Sequence, residues 1–224
     1  VSYVHAYLRY TAQNRLCQED RLSSPPLKER GLPGEVIKSG AVWAMRNTIP
    51  INGKFYIETS LSDGLINIAA ELRPDRVTIV PEETGEKASN TLDIKKEFAD
   101  IKNIVELLHV QGIPVCLSVE PDREAIDLAK GCGADFIEIC TAAYSKTSDK
   151  AEIEKEIDRI YRASEHAAGI RIKINAGGGL NYRNVVPILH ARELLELNIG
   201  RAILSRSDSV GLSKAVQEMM DVLD

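Results

Sequence analysis

From residue 53 onward, short apolar and β-branched runs alternate with longer stretches whose apolar positions recur every three or four residues. The short runs predict strands at 54–60 (KFYIETS), 76–80 (RVTIV), 114–119 (PVCLSV), 135–141 (DFIEICT), 171–175 (RIKIN) and 195–199 (LELNI). The longer stretches predict the helices between them. Ser62 or Asp63 caps one that runs to about Leu72, before Pro74. A second covers 93–110, with Ile94, Phe98, Ile101, Val105 and Leu108 on one stripe and Gly112 closing it. A third covers 122–130, ended by Gly131 and Gly133. Asp149 caps a long helix with Ile153, Ile157, Ile160 and Tyr161 on one face, ending at Gly169. Residues 181–189 predict another, and the last carries Leu212, Ala215, Val216, Met219 and Leu223.

Strict alternation implies parallel strands joined by right-handed crossovers. A barrel and an open doubly wound sheet both fit, but no GxGxxG follows the first strand, which counts against a dinucleotide fold. An eight-unit barrel needs two further units from the first 53 residues. Residues 1–8 (VSYVHAYL) supply one strand, residues 18–35 read as a charged, proline-rich loop, and 35–49 read as helical. The expected architecture is one α/β domain over 1–224, a (β/α)8 TIM barrel with parallel strands. Six clear units span 53–224, and a divergent or incomplete first part spans 1–52.

Composition narrows the chemistry. The 224 residues are 44% hydrophobic, enough for one large core. A formal net charge of −5 argues against a nucleic-acid partner, while local basic groups can still hold a small phosphorylated substrate. Cys17, Cys116, Cys132 and Cys140 show no CxxC spacing and, with four histidines, no metal-ligand pattern. Cys116 and Cys140 read as buried free thiols, and the compartment as reducing and cytoplasmic. No apolar run approaches the ~20 residues that span a bilayer, so no membrane association is expected.

In α/β barrels ligands bind where the strands end. Those positions offer Glu58, Glu120, Thr141 with Tyr144, Asn175 followed by three glycines, and Gly200 with Arg201. Three glycines between a strand and a helix let backbone N–H groups approach an anion; a tight turn without ligand fits the same residues. Gly200 and Arg201 end the last strand, where such barrels often hold phosphate, and arginine presents a planar fork; a surface salt bridge is the alternative. Glu58, inside an apolar strand, either faces the barrel mouth, where it can serve as a general base, or must be paired. Glu138 in FIEIC raises the same question. His5 near the end of the first strand, with Arg9 beyond it, reads alone as a satisfied histidine. His109, His166 and His190 read as surface or packing residues.

The stretches ADFIEICTAAYS, KINAGGGLNYRNV and ELLELNIGRAILSRSDSVGLSKAVQEM, with FYIETS and RPDRVTIVPEE, resemble the pyridoxine 5′-phosphate synthase family over about residues 53–224. The likeness is faint over 1–52, where VSYVHAYLRYTA looks like a decayed form of that family's first strand. The resemblance implies a (β/α)8 barrel that forms homo-oligomers and needs no metal or organic cofactor. It implies condensation of 1-deoxy-D-xylulose 5-phosphate with 3-amino-2-oxopropyl phosphate to pyridoxine 5′-phosphate, with loss of inorganic phosphate and water. It places Glu58 as the catalytic base and Gly179 and Gly200 at substrate phosphate. Ser2, His5 and Arg9 stand at the family's first-strand substrate positions.

The departures concern histidines. Gly178, Arg201 and Cys140 each stand where the family has one, and the second-strand histidine has no counterpart near residues 18–21. The first-strand Asp is Val4, and the family's Thr-Thr-Glu-Gly-Gly loop has become 87–91 (KASNT). Arg201 can hold phosphate in a histidine's place, but Gly178 cannot transfer a proton. Losing an acid or base costs about 10²–10⁴ in rate. Two alternatives to an active synthase follow: a catalytically impaired paralogue that binds a phosphorylated ligand or an active homologue, and a phosphosugar isomerase or aldolase on the same barrel.

Overall fold

The computed structural model describes residues 8–11, 54–61, 66–67, 71–81 and 91–224. The strands are β1 (Leu8–Thr11), β2 (Tyr56–Thr59), β3 (Arg76–Ile79), β4 (Val115–Val119), β5 (Phe136–Cys140), β6 (Lys173–Gly177) and β7 (Leu194–Ile199). The helices are α1 (Phe98–Val110), α2 (Arg123–Gly131), α3 (Ala142–Lys146), α4 (Lys150–Gly169), α5 (Val185–Ile188), α6 (Arg201–Val210) and α7 (Leu212–Leu223). The sheet order is β1-β7-β6-β5-β4-β3-β2, and β2 through β7 are parallel. Although β2 and β7 stand at opposite ends of that parallel run, Tyr56 donates a hydrogen bond to Glu196. The sheet is therefore curled into the α/β TIM-barrel arrangement.

Alternation along the strands decides which side chains meet. Val77, Val115, Leu117, Ile137, Ile174 and Leu197 are fully buried. Their neighbours Arg76, Thr78, Cys116, Glu138, Asn175 and Glu196 take the opposite face, inside the curl. Local caps set the helix starts: Asp149, as the sequence predicts, accepts from the Glu152 N–H, and Asp122 accepts from the Ala125 N–H. Replacing Asp149 by Ala orphans one N–H at the start of α4. The expected cost is about 1 kcal/mol of stability, read as a lower urea midpoint at unchanged slope.

Three expectations are corrected, and one helix is added. The described N-terminal strand, Leu8–Thr11, runs antiparallel to β7, with Leu8 opposite Ile199 and Thr11 opposite Glu196, where parallel strands were expected; residues 1–7 of the strand expected over 1–8 lie outside the described residues. An edge strand offers its free N–H and C=O groups to either direction, and four residues of LRYT do not encode which. Helix α1 starts at Phe98, not 93, because Asp93 accepts from the Lys96 N–H and closes a separate turn first. The helix expected over 181–189 shrinks to Val185–Ile188: Asn181 Oδ1 accepts from the N–H groups of Arg183 and Asn184, and Asn184 Oδ1 from that of Asn181. The last expected helix forms as α7, Leu212–Leu223; α6 before it was not foreseen, and Gly211, whose φ of 83° lies outside helical backbone, separates the two.

Candidate active site

Alternation in FIEIC turns Ile137 and Ile139 toward the helices and Glu138 into the curl. Asn198 on β7 donates its amide to Glu138 across β6. This crossing is possible because the intervening residue is Gly177: a Cβ there would stand 2.5 Å from Glu138 Oε1 and 3.0 Å from Asn198 Cβ. The protein packed around this carboxyl, and then the charge of Glu58, push it up to about 7. Glu58 is half-buried on β2, level with Thr78 of β3. Gly177→Ala is expected to displace the Glu138 carboxyl and lower kcat by about tenfold to a hundredfold, with Km for the phosphate-bearing substrates little changed. Steady-state kinetics on the variant would check this split.

Toward the start of β3, Arg76 is buried among aromatic rings and acids. Its guanidinium lies 3.9 Å from the Tyr56 ring centroid and 4.8 Å from that of Phe136. Its Nη1 stands 2.7 Å from Glu196 Oε2, and both side chains are at most 4% exposed. With its amide oxygen turned toward Arg76, Asn175 accepts from Nη1 and Nη2 at 3.1 and 3.3 Å.

Beyond β6 the glycine loop turns with φ of 109° at Gly178 and 81° at Gly179. Both values favour glycine. Thr141 pins the loop: its N–H donates to the Gly177 carbonyl, and its Oγ1 lies 2.9 Å from the carbonyls of Gly177 and Gly178. Tyr144 donates to the Asn184 carbonyl at 2.8 Å, so Thr141 and Tyr144 hold the loop's shape. Because α5 starts only at Val185, the loop's own backbone, rather than a helix start, is what borders this space. Next to it, Gly200 begins α6 without a side-chain cap and Arg201 is its exposed first residue. Since β6 and β7 are paired, with Gly177 opposite Asn198, the two loops lie side by side at one end of the sheet. Burial pushes the Cys140 thiol up to about 11, so it is protonated at neutral pH.

Of the residues expected from sequence, Glu58, Gly178, Gly179, Gly200 and Arg201 are therefore borne on the strand ends and loops of one sheet. Ser2 and His5 lie outside the described residues, and Arg9 falls in β1, where only the backbone is described. Asn198, Arg76 and Glu196 escaped the sequence reading. Their signal was present: polar residues two apart in ELN, and a charged residue opening RVTI, share the inward parity of Glu138. His109 and His166 pair with Asp135 and Asp127, at 2.8 and 2.6 Å.

A family model described as "Pyridoxal phosphate biosynthesis protein PdxJ" matches residues 35–224. The chain belongs to this family. The PdxJ match begins well before residue 53, so the family signal reaches into the part whose likeness looked faint. The pyridoxine 5′-phosphate synthase of Pseudoalteromonas translucida is 38% identical over 184 residues, which are 82% of this chain and 75% of that protein. That of Chlorobium phaeobacteroides is 34% identical, over 77% of this chain and 74% of its own. Among solved structures, the thiamine phosphate pyrophosphorylase of Pyrococcus furiosus superposes with a TM-score of 0.54 at 14% identity, covering 87% of this chain and 79% of its own. That likeness is one of barrel fold alone.

Proposed function

We propose that this PdxJ-family chain condenses 1-deoxy-D-xylulose 5-phosphate with 3-amino-2-oxopropyl phosphate to form pyridoxine 5′-phosphate, releasing inorganic phosphate and water. Membership of the family supports the reaction class. The observation that carries it for this chain is the pair of inward carboxyls, Glu58 and Glu138, of which Glu138 keeps its proton up to about pH 7. The condensation needs a base that removes a proton from carbon next to an imine and an acid that protonates departing oxygen. Glu58 is the base and Glu138 the acid in this reading. The released water and bulk solvent restore both protonation states. The acid role falls to Glu138 because Gly178, standing where the family has histidine, carries no proton.

The loops after β6 and β7 serve as the phosphate end. Gly178 and Gly179 leave backbone N–H groups open to an anion, and Gly200 with Arg201 adds a second donor set with a guanidinium. The test is turnover by the purified chain with both substrates, following pyridoxine 5′-phosphate and released phosphate together. Equal appearance of both, in proportion to protein, is expected. No product, with 1-deoxy-D-xylulose 5-phosphate still bound in calorimetry, would replace this reading by that of a binding paralogue.

A further inference from the structure

Among the described residues, three carboxyls, Glu58, Glu138 and Glu196, and one guanidinium, Arg76, face the interior of the curl. Arg76 approaches Glu196 at 2.7 Å, stacks on Tyr56 at 3.9 Å, and reaches the Asn175 amide. Tyr56 donates to the other Glu196 oxygen at 3.3 Å. Asn175 is level with Glu138 on one side and with Glu196 on the other. The cation is thus built into the Glu196 side of the cluster by rings and amides on three strands. Glu138 instead takes a neutral donor, the Asn198 amide.

We propose that the Arg76–Glu196 pair is a positioning device that assigns the cluster's protons: Arg76 is committed to Glu196 as its counter-ion, which leaves Glu138 as the carboxyl that carries a proton beside Glu58. Arg76 and Glu196 touch no substrate in this scheme; they act through Glu138. The proposal rests on the synthase reading only in taking Glu138 for the acid.

The groups facing Glu138 are consistent with it. From β2 comes Glu58, from β3 Arg76, from β4 Cys116, from its own strand Cys140, and from β7 Glu196 and Asn198. From β6 come Asn175 and the bare Gly177, neither of which titrates. Burial pushes both thiols up, so they stay neutral. Glu58 and Glu196 raise the proton affinity of Glu138, and Arg76 lowers it. Removing either member of the pair therefore moves Glu138 in opposite directions.

The test is a carbon-13 NMR titration of glutamate carboxyls in the whole chain, with Glu138 assigned by its loss in Glu138→Gln. Glu196→Gln leaves Arg76 uncommitted and is expected to lower the Glu138 midpoint by about one unit. Arg76→Met leaves Glu196 uncompensated and is expected to raise it. The double variant Arg76→Met/Glu196→Gln is expected to fall between the two single variants, and the alkaline limb of kcat/KM should follow the same crossed pattern. Either single variant reads the sign alone if the other fails to fold. Shifts of the same sign, no shift in a folded single variant, or two unfolded single variants beside a double variant with parental activity would overturn the proposal, the last reducing the pair to a fold element. The titration needs no substrate. Crossed shifts in a chain that makes no pyridoxine 5′-phosphate would retire the synthase reading alone, and uncrossed shifts in an active chain would retire this one alone.

Discussion

Glu138→Gln is expected to lose about 10²–10⁴ in kcat and yet to be more stable than the parent above pH 7. The activity loss follows because glutamine matches the shape of a protonated carboxyl but gives up no proton. The stability gain follows from linkage. A carboxyl raised to about 7 in the folded chain, against an ordinary 4.5, binds its proton more tightly folded than unfolded. Its favourable contribution is complete below about pH 4.5 and is lost as pH climbs through about 7, at roughly 1.4 kcal/mol per unit of difference. Above that, the parent holds a charged carboxyl beside Glu58, and the variant does not. Urea denaturation of both proteins at pH 5 and pH 8 would read the gap: small at pH 5, and a few kcal/mol in the variant's favour at pH 8. A residue that only supported the fold would lose stability on substitution. The crossing of lower activity with higher stability marks one kept for chemistry. The residual activity should also lack the parent's decline through pH 7, because the group responsible is gone.

What the sequence made legible here is what local physics decides. The cap at Asp149 works as read, because a side chain three residues from an open N–H needs no tertiary partner. The strands PVCLSV, FIEIC and LELNI lie within a residue of their expected bounds because apolar period-two runs are buried on the helix side wherever they fall. The five-residue α3 was invisible, being too short to show a period. The pairing direction of β1 was invisible because it is settled by the edge it meets.

The site divides in the same way. Glu58 could be read from its place in a strand. Glu138 could be read only as a question, because its answer lies 60 residues away in Asn198. The glycine run misled in an instructive manner. All three glycines looked like an anion loop, but Gly177 is the last residue of β6, and its missing side chain makes room for the Glu138 carboxyl. The clearance it provides exists only once β5, β6 and β7 are side by side. Likewise, Arg76 beside Glu196 joins residues 120 positions apart, so neither could announce the other.

Glu58→Gln is the complementary case, and the two carboxyls make different predictions for it. As the base, Glu58 has no substitute among the described groups facing Glu138: Glu196 is committed to Arg76, the thiols of Cys116 and Cys140 are held protonated by burial, and Arg76 has no proton to spare or accept at neutral pH. Turnover is therefore expected to fall by about 10²–10⁴, with binding of 1-deoxy-D-xylulose 5-phosphate retained, since the phosphate end is built from other residues. The second consequence concerns its neighbour. The charge of Glu58 is, after burial itself, the largest influence raising Glu138. Its removal should let Glu138 ionise at lower pH, so the small remaining activity should decline at a lower pH than in the parent. A Glu58→Gln protein with unchanged product formation would remove Glu58 from the mechanism. One that is inactive but leaves the Glu138 titration where it was would show that the two carboxyls do not share a field, and Glu138 would then owe its proton to burial alone. Combining Glu58→Gln with Glu138→Gln should cost little more than either change by itself, because an acid and a base that serve one proton-transfer sequence fail together.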